Sequence, residues 1–413
     1  MSEFTFDPFD PAFTRSDELK ARSAEMRRSC PVARPVPGYA YLSRYRDTRK
    51  AFMDYQHLSS RAELRALGVV VAEEEKFIGE MDRPLHTTFR RVLTEIFNPA
   101  TYQALEPFIG EQIDHLLDDL ETTGGGDLMD RLAIPLPVAV TLTLLGLPME
   151  DADQLTTWML EMLHSDWITT NRNERGEGLY GGFPELMAYL DARVEECRAA
   201  PPEAGKAGFL NRVVHMDVGG KPLSTTQTGA QVLNILIAGL STTTSLLANA
   251  VYRLLDIPGL YATVRADRDL VPAVIEESLR YDPPGTFMMR VADADVTFSG
   301  ETVRAGEQVI LSILSANRDE TVFEDPDRFV VDRPWSLLGR GALSPHLSFG
   351  AGPHTCPGAA LSRTEAKIAL NKMFDRYAES EIRLADGFVY ELVPNPVEVQ
   401  PLRLDVEITR SPG

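Results

Sequence analysis

The residues best placed to do chemistry lie between His346 and Glu365, in the segment HLSFGAGPHTCPGAALSRTE. Three glycines, Gly350, Gly352 and Gly358, surround Cys356 and permit a tight turn that residues with a Cβ would resist. Pro357 suits the first position of a helix, and Ala359 to Phe374 carries a helical pattern. Cys356 is therefore expected at a helix N-terminus, where the macrodipole favours the thiolate, the form that binds metals. Cys30 and Cys197 have no such setting and read as inert thiols. A second group, Ala238-Gly239-Leu240-Ser241-Thr242-Thr243, sits in a stretch without charge from Pro222 to Tyr252. Thr242 follows Ala238 by one helical turn, so its hydroxyl is positioned to bond back to that carbonyl. Glu277 and Arg280 stand three apart and His86 and Arg90 four apart, so each pair shares a helix face.

The run Phe349-Gly350-x-Gly352-x-His354-x-Cys356-x-Gly358 resembles the cysteine-loop signature of the cytochrome P-450 superfamily, with every position filled. The resemblance extends from about Asp7 to about Ile408. It implies haem b (iron protoporphyrin IX) as cofactor and Cys356 as the ligand to its iron, a thiolate that favours O–O cleavage. Glu277 and Arg280 fit the family's ExxR motif, a structural pair closed in the family by a downstream arginine. Arg328 in Asp325-Pro326-Asp327-Arg328-Phe329 is the first choice for that role and Arg333 the competitor. His86 and Arg90 match the family's HxxxR, and Arg290 and His346 match two further haem-propionate positions. Charge-assisted donors suit two buried carboxylates. Phe349, Gly350, His354 and Gly358 belong to the cofactor-binding loop.

The helix over the oxygen side of the haem would carry Ala238, Gly239 and Thr242, with Gly239 letting the backbone approach the haem face. In the family an acid precedes this threonine and helps it deliver protons. Here that position is Ser241, which can relay a proton but cannot act as a general acid at neutral pH. The resemblance places Ile237, Phe287, Met288, Met289 and Val397 on a largely apolar substrate pocket.

The elements that must hold these residues are mostly helical. Helices are expected over Ser16 to Arg28, Asp47 to Met53, Tyr102 to Leu120 and through the uncharged stretch. Asn98-Pro99 closes a helical segment, and the clusters from Thr122 to Gly126 and from Ala199 to Gly208 read as loops. Strands are expected at Tyr39 to Leu42, Val296 to Phe298, Gln308 to Leu314 and Arg403 to Ile408. The fold class is thus mainly α with small β-sheets, one domain over 1–413. The formal net charge of −20 argues against nucleic acid or an anionic membrane as partner, since both reward positive charge. The uncharged stretch is long enough to span a bilayer, but Gln227, Gln231, Asn234 and Asn249 fit the middle of a large domain better. Three scattered cysteines and a start without an apolar run point to the cytoplasm.

The expected activity is hydroxylation or epoxidation of a small, largely apolar molecule by O2, in secondary metabolism. Two electrons would come from NAD(P)H through a separate ferredoxin and ferredoxin reductase, for which Arg91, Arg363 and Lys367 offer docking contacts. Two rivals stand beside it. One is a peroxygenase or isomerase that needs no electron partner; the other is a haem-binding sensor or carrier without turnover.

Overall fold

A computed structural model describes residues 4–10, 17–200, 208–218, 220–335 and 345–409. Ser16 and residues 201–207 of the expected loop lie outside this set. The architecture is mainly helical. The longer helices are α1 (Asp17–Ser29), α2 (Tyr45–Met53), α3 (Leu85–Ile96), α4 (Pro99–Thr122), α5 (Pro135–Leu145), α6 (Ala152–Leu163), α7 (Pro184–Ala199), α8 (Thr225–Asp256), α9 (Val271–Tyr281) and α10 (Ala359–Arg376). The strands are β1 (Val32–Ala33), β2 (Tyr39–Leu42), β3 (Leu58–Ser59), β4 (Gly125–Asp127), β5 (Phe287–Ala292), β6 (Val296–Phe298), β7 (Glu301–Val303), β8 (Gln308–Ser312), β9 (Ile382–Leu384) and β10 (Asp405–Ile408). They form sheets ordered β1-β2-β8-β5-β3, β4-β10-β9 and β6-β7.

Local chemistry moves several boundaries from their expected places. Asn98 ends one helix and starts the next: its side-chain oxygen accepts from the N–H groups of Ala100 (2.9 Å) and Thr101 (3.1 Å), and Pro99 takes the first helical position. The glycine cluster is only partly a loop. Gly125 has φ +115°, and a Cβ there would lie 2.2 Å from Val406 O, so glycine alone lets β4 pair with β10. The strand from Gln308 stops at Ser312, whose hydroxyl accepts from Ser315 N (3.2 Å) and caps a helical turn over Ile313–Ala316.

Helix α8 runs unbroken through the centre, and most of its uncharged part is buried. A reciprocal cap opens it, with Ser224 Oγ accepting from Gln227 N (3.1 Å) and Gln227 Oε1 from Ser224 N (3.0 Å). Its polar side chains bond to packed loops: Gln231 to Lys76 O (2.8 Å), Thr244 to Ala133 O (2.8 Å) and Asn249 to Val399 O (2.8 Å). That is why an apolar helix of this length carries amides and hydroxyls. Gly239 serves the crossing with α5, because a Cβ would meet Thr141 Oγ1 at 2.5 Å. The glycine is explained by helix packing before any cofactor is considered.

A buried ion cluster ties α9 to the cysteine loop. Glu277 and Arg280 are both fully buried. Arg280 donates to both Glu277 carboxylate oxygens (2.7 and 2.8 Å) and to the carbonyls of Asn317, Pro326 and Arg328. The arginine that closes the cluster is Arg333, with Nε 2.9 Å from Glu277 Oε2. Arg328 is not: its side chain is exposed and pairs with Asp325, and only its backbone oxygen joins the network. Its side chain points to solvent because its own carbonyl has turned inward to both guanidinium groups. Asn317 carries the order onward, donating to Ser348 Oγ (2.9 Å) and accepting from Leu347 N (2.7 Å) at the start of the cysteine loop.

Arg333→Ala is therefore expected to cost roughly 3–5 kcal/mol of stability by leaving Glu277 buried without its second cation. Arg328→Ala should stay within about 0.5 kcal/mol. Denaturant unfolding of the two variants checks this; equal losses would return Arg328 to the cluster.

Candidate active site

Between α8 and the loop before α10 lies a cavity of about 330 Å³. Cys356 stands on one wall, and Ala238 and Thr242 of α8 on another, turned into the opening. The Thr242 hydroxyl donates to Ala238 O at 2.7 Å, as the one-turn spacing requires. That bond leaves the oxygen's lone pairs free to accept from the cavity side.

The cysteine is held by its backbone. Cys356 N donates to Phe349 O (2.9 Å) and Gly350 N to Leu347 O (2.8 Å). Gly350 and Gly352 have φ of +67° and +77°, and a Cβ on Gly352 would come within 2.8 Å of Phe52 O. Gly358 differs: its φ is −81°, and a Cβ there would meet nothing closer than 3.7 Å. The turn itself does not require that glycine. Helix α10 begins at Ala359 with Gly358 as its cap, so Pro357 precedes the helix instead of opening it. Burial pushes the Cys356 thiol up, while the N–H groups of Gly358 and Ala359 and the cations Arg90 and Arg363 pull the other way. Burial wins over the helix terminus, so a bound metal would have to supply the rest of the thiolate's stabilisation.

A cationic group closes one end of the cavity. Arg90 and Arg290 line it, as do His86 and His354, whose ring centroids lie 3.9 Å apart. Burial first, then Arg90 and Arg83, hold the His86 imidazole down at about 4. Burial first, then Arg290 and His86, hold His354 at about 2. Two guanidinium groups, with two neutral imidazoles as further hydrogen-bonding partners, facing one buried space fit a dianionic guest. Together with one sulfur and the apolar lining beside α8, the donor set fits a haem with two propionates.

Three residues expected to serve the site or a partner face elsewhere. His346 is buried outside the cavity, with Nε2 3.1 Å from Glu276 Oε2 and Nδ1 accepting from Ser348 N (3.3 Å). Both ring nitrogens are already used, so it positions the loop and not a propionate. Burial raises the Glu276 carboxyl, but bonds from His346 and Arg363 outweigh this and hold it well below the carboxylate range. Arg363 is likewise turned inward to Glu276 and over the Phe349 ring, not outward to a partner. Met289 lies on the reverse face of β5, packed with Phe6 and Tyr41, while Met288 and Arg290 face the cavity. Ile237, Phe287 and Val397 line the cavity as expected.

Sequence reasoning missed three carboxyls. Glu63, Glu365 and Glu398 line the cavity beside a fourth, Glu80, which is paired with Arg65. Burial pushes Glu63 up to about 7, Glu365 to about 8 and Glu398 to about 7. Ser60 was also missed; its hydroxyl lies 3.0 Å from His354 Nε2. No local pattern marks these residues: Ser60, Glu63 and Glu398 come from loops far from Cys356 in the chain, and Glu365, though near it, lies on a helix whose pattern does not tell which way its carboxyl turns.

The cytochrome P450 family profile matches residues 38–384, most of the chain. This chain is a cytochrome P450. Among its relatives, cyclomarin C epoxidase CymV of Salinispora arenicola is 35% identical over 362 residues, 87% of this chain and 88% of that protein. Erythromycin C-12 hydroxylase of Saccharopolyspora erythraea is 33% identical over 352 residues, 85% of each chain. The solved structure of a mutant P450 EryK in complex with erythromycin B superposes with a TM-score of 0.82 at 32% identity. It covers 96% of this chain and 97% of its own. Ligand-free P450 TbtJ1 gives 0.80 at 32%, covering 96% and 98%. The P450 belongs to a family of haem-dependent monooxygenases that use O2 and redox partners on organic substrates.

If the cationic end holds the propionates, Arg290→Leu weakens haem binding by roughly ten- to a hundredfold. That is the span of a lost charge-assisted hydrogen bond of about 1.5–3 kcal/mol. The rate of haem transfer to an excess of a scavenger apoprotein measures it; an unchanged rate would remove Arg290 from the propionate site.

Proposed function

We propose that this P450 hydroxylates or epoxidises a small, largely apolar organic molecule, as a step in secondary metabolism. Its cofactor is haem b ligated by Cys356, and two electrons reach it from NAD(P)H through a ferredoxin reductase and a ferredoxin in the cytoplasm. The observation that carries this reading is one cavity bounded by a backbone-fixed cysteine on one side and by Thr242 on the other. The names of the relatives, a cyclomarin C epoxidase and an erythromycin C-12 hydroxylase, support the reaction types.

When bound, a haem-thiolate supplies the activation of dioxygen. His86, Arg90, Arg290 and His354 would hold it at the propionates. Thr242 Oγ1, pinned to Ala238 O, offers a fixed acceptor for a proton on the oxygen side. Ile237, Phe287, Met288 and Val397 provide apolar wall that orients substrate and keeps water out. A peroxide-driven reaction is the second reading, and it rests on Ser241 standing where the family has an acid.

Reduced holoprotein under carbon monoxide is expected to show the red-shifted Soret band of thiolate ligation, and Cys356→His to lose it. A ligand screen for the low-to-high-spin shift should then find apolar binders that are oxidised with NAD(P)H, ferredoxin and reductase. Equal turnover with hydrogen peroxide alone would favour the second reading, and a wild-type spectrum without the shift would end both.

A further inference from the structure

Glu398 reaches the cavity from the segment before β10, well after the cysteine loop in the chain. Its backbone is fixed from both directions. Thr286 N donates to Val397 O (2.9 Å) and Val399 N to Pro284 O (3.1 Å), around a bridge between Gly285 and Glu398. The same segment is stitched to α8, with Asn249 Nδ2 donating to Val399 O (2.8 Å) and Ser245 Oγ 3.1 Å from Gln400 Oε1. One helical turn before Ser245 stands Ser241, whose hydroxyl acts on the Glu398 carboxyl and opposes the rise that burial causes. Ser241 and Glu398 both line the cavity that holds Thr242.

We propose that Glu398 supplies, from another part of the chain, the carboxyl that α8 lacks at position 241, and that protons reach the cavity through Ser241 Oγ. The inference rests on the monooxygenase reading above. It assigns a role to a residue that no motif contains.

Serine alone cannot be the acid, but it is a competent relay, since one oxygen both accepts and donates. The Glu398 O–H bond breaks as a new O–H bond forms on Ser241 Oγ. Ser241 releases its original proton to water in the cavity beside Thr242. Ser241 ends unchanged, hydrogen-bonded to a carboxylate that regains its proton from water. Burial keeps the Glu398 carboxyl up at about 7, near working pH, with the Ser241 hydroxyl as the opposing influence. Among the described residues no cation pairs with it, so it is able to hold a proton. Glu63 is influenced by Arg290 and Arg65, and Glu365 has a carboxyl oxygen without a partner; Ser241 acts on neither of them.

Infrared difference spectra of ferric holoprotein against pH test this without turnover. A protonated-carboxyl C=O stretch titrating near 7 should vanish in Glu398→Gln and move to higher frequency in Ser241→Ala, where its hydrogen bond is lost. In turnover, product formed per NAD(P)H should fall as pH rises through about 7. Glu398→Gln should lower that yield by about tenfold in favour of hydrogen peroxide, less than the roughly hundredfold a fixed general acid can contribute because water substitutes. The variant's remaining yield should lose the pH dependence. An infrared spectrum unchanged in Glu398→Gln, or an undiminished yield, overturns the proposal. Lost substrate affinity at unchanged yield also overturns it, by making Glu398 a counter-ion for substrate. The carbon monoxide spectrum of Glu398→Gln stays thiolate-like in every case, so failure here is distinct from failure of the haem reading.

Discussion

The position of one sulfur atom governs this structure. A thiolate is useful to a metal only if it meets it from a fixed direction, and a loop would ordinarily let it wander. Here the loop is held from within by the Cys356–Phe349 backbone bond and by glycines at positive φ against Phe52. It is held from outside by the Glu277–Arg280–Arg333 cluster, which reaches it through Asn317. Burying three charges for that purpose is costly, and removing any one strands the others. The expense makes sense as a means of placing a turn, since equal stability is available from apolar packing.

The second constraint is electrostatic. The cavity joins an end that carries the Arg90 and Arg290 guanidinium groups to walls that carry carboxyls without full pairing. In a dry space like charges repel strongly and lone charges are poorly solvated. Both tensions resolve with guests: a dianion at the cationic end, and protons on the carboxyls. The same burial that holds His86 and His354 neutral raises the Glu398 carboxyl to about 7, so one physical cause acts on both the anion site and the proposed proton source.

Much of this was legible in sequence wherever spacing alone decides geometry. The turn around Cys356, the Thr242–Ala238 bond and the shared face of Glu277 and Arg280 follow from local periodicity. What failed was direction. Arg328 and Arg333 lie in an irregular loop, where no period tells which side chain turns in. His346 has the right type and order but spends both nitrogens on Glu276 and Ser348. Met289 and Met288 point to opposite faces of β5, and which face meets the cavity is a long-range fact; Phe287, on the face of Met289, still reaches the cavity from the first position of the strand. Glu398 was invisible for the same reason. Ser241 looked like a defect because its partner arrives from the far end of the chain.

The central claim is that Cys356 sulfur binds the haem iron, and X-ray absorption at the iron edge of the holoprotein reads that bond directly. The account predicts one sulfur neighbour beside the porphyrin nitrogens in wild type, replaced by a light-atom neighbour in Cys356→His. A wild-type iron surrounded only by nitrogen and oxygen, or a sulfur shell that survives the substitution, would contradict it.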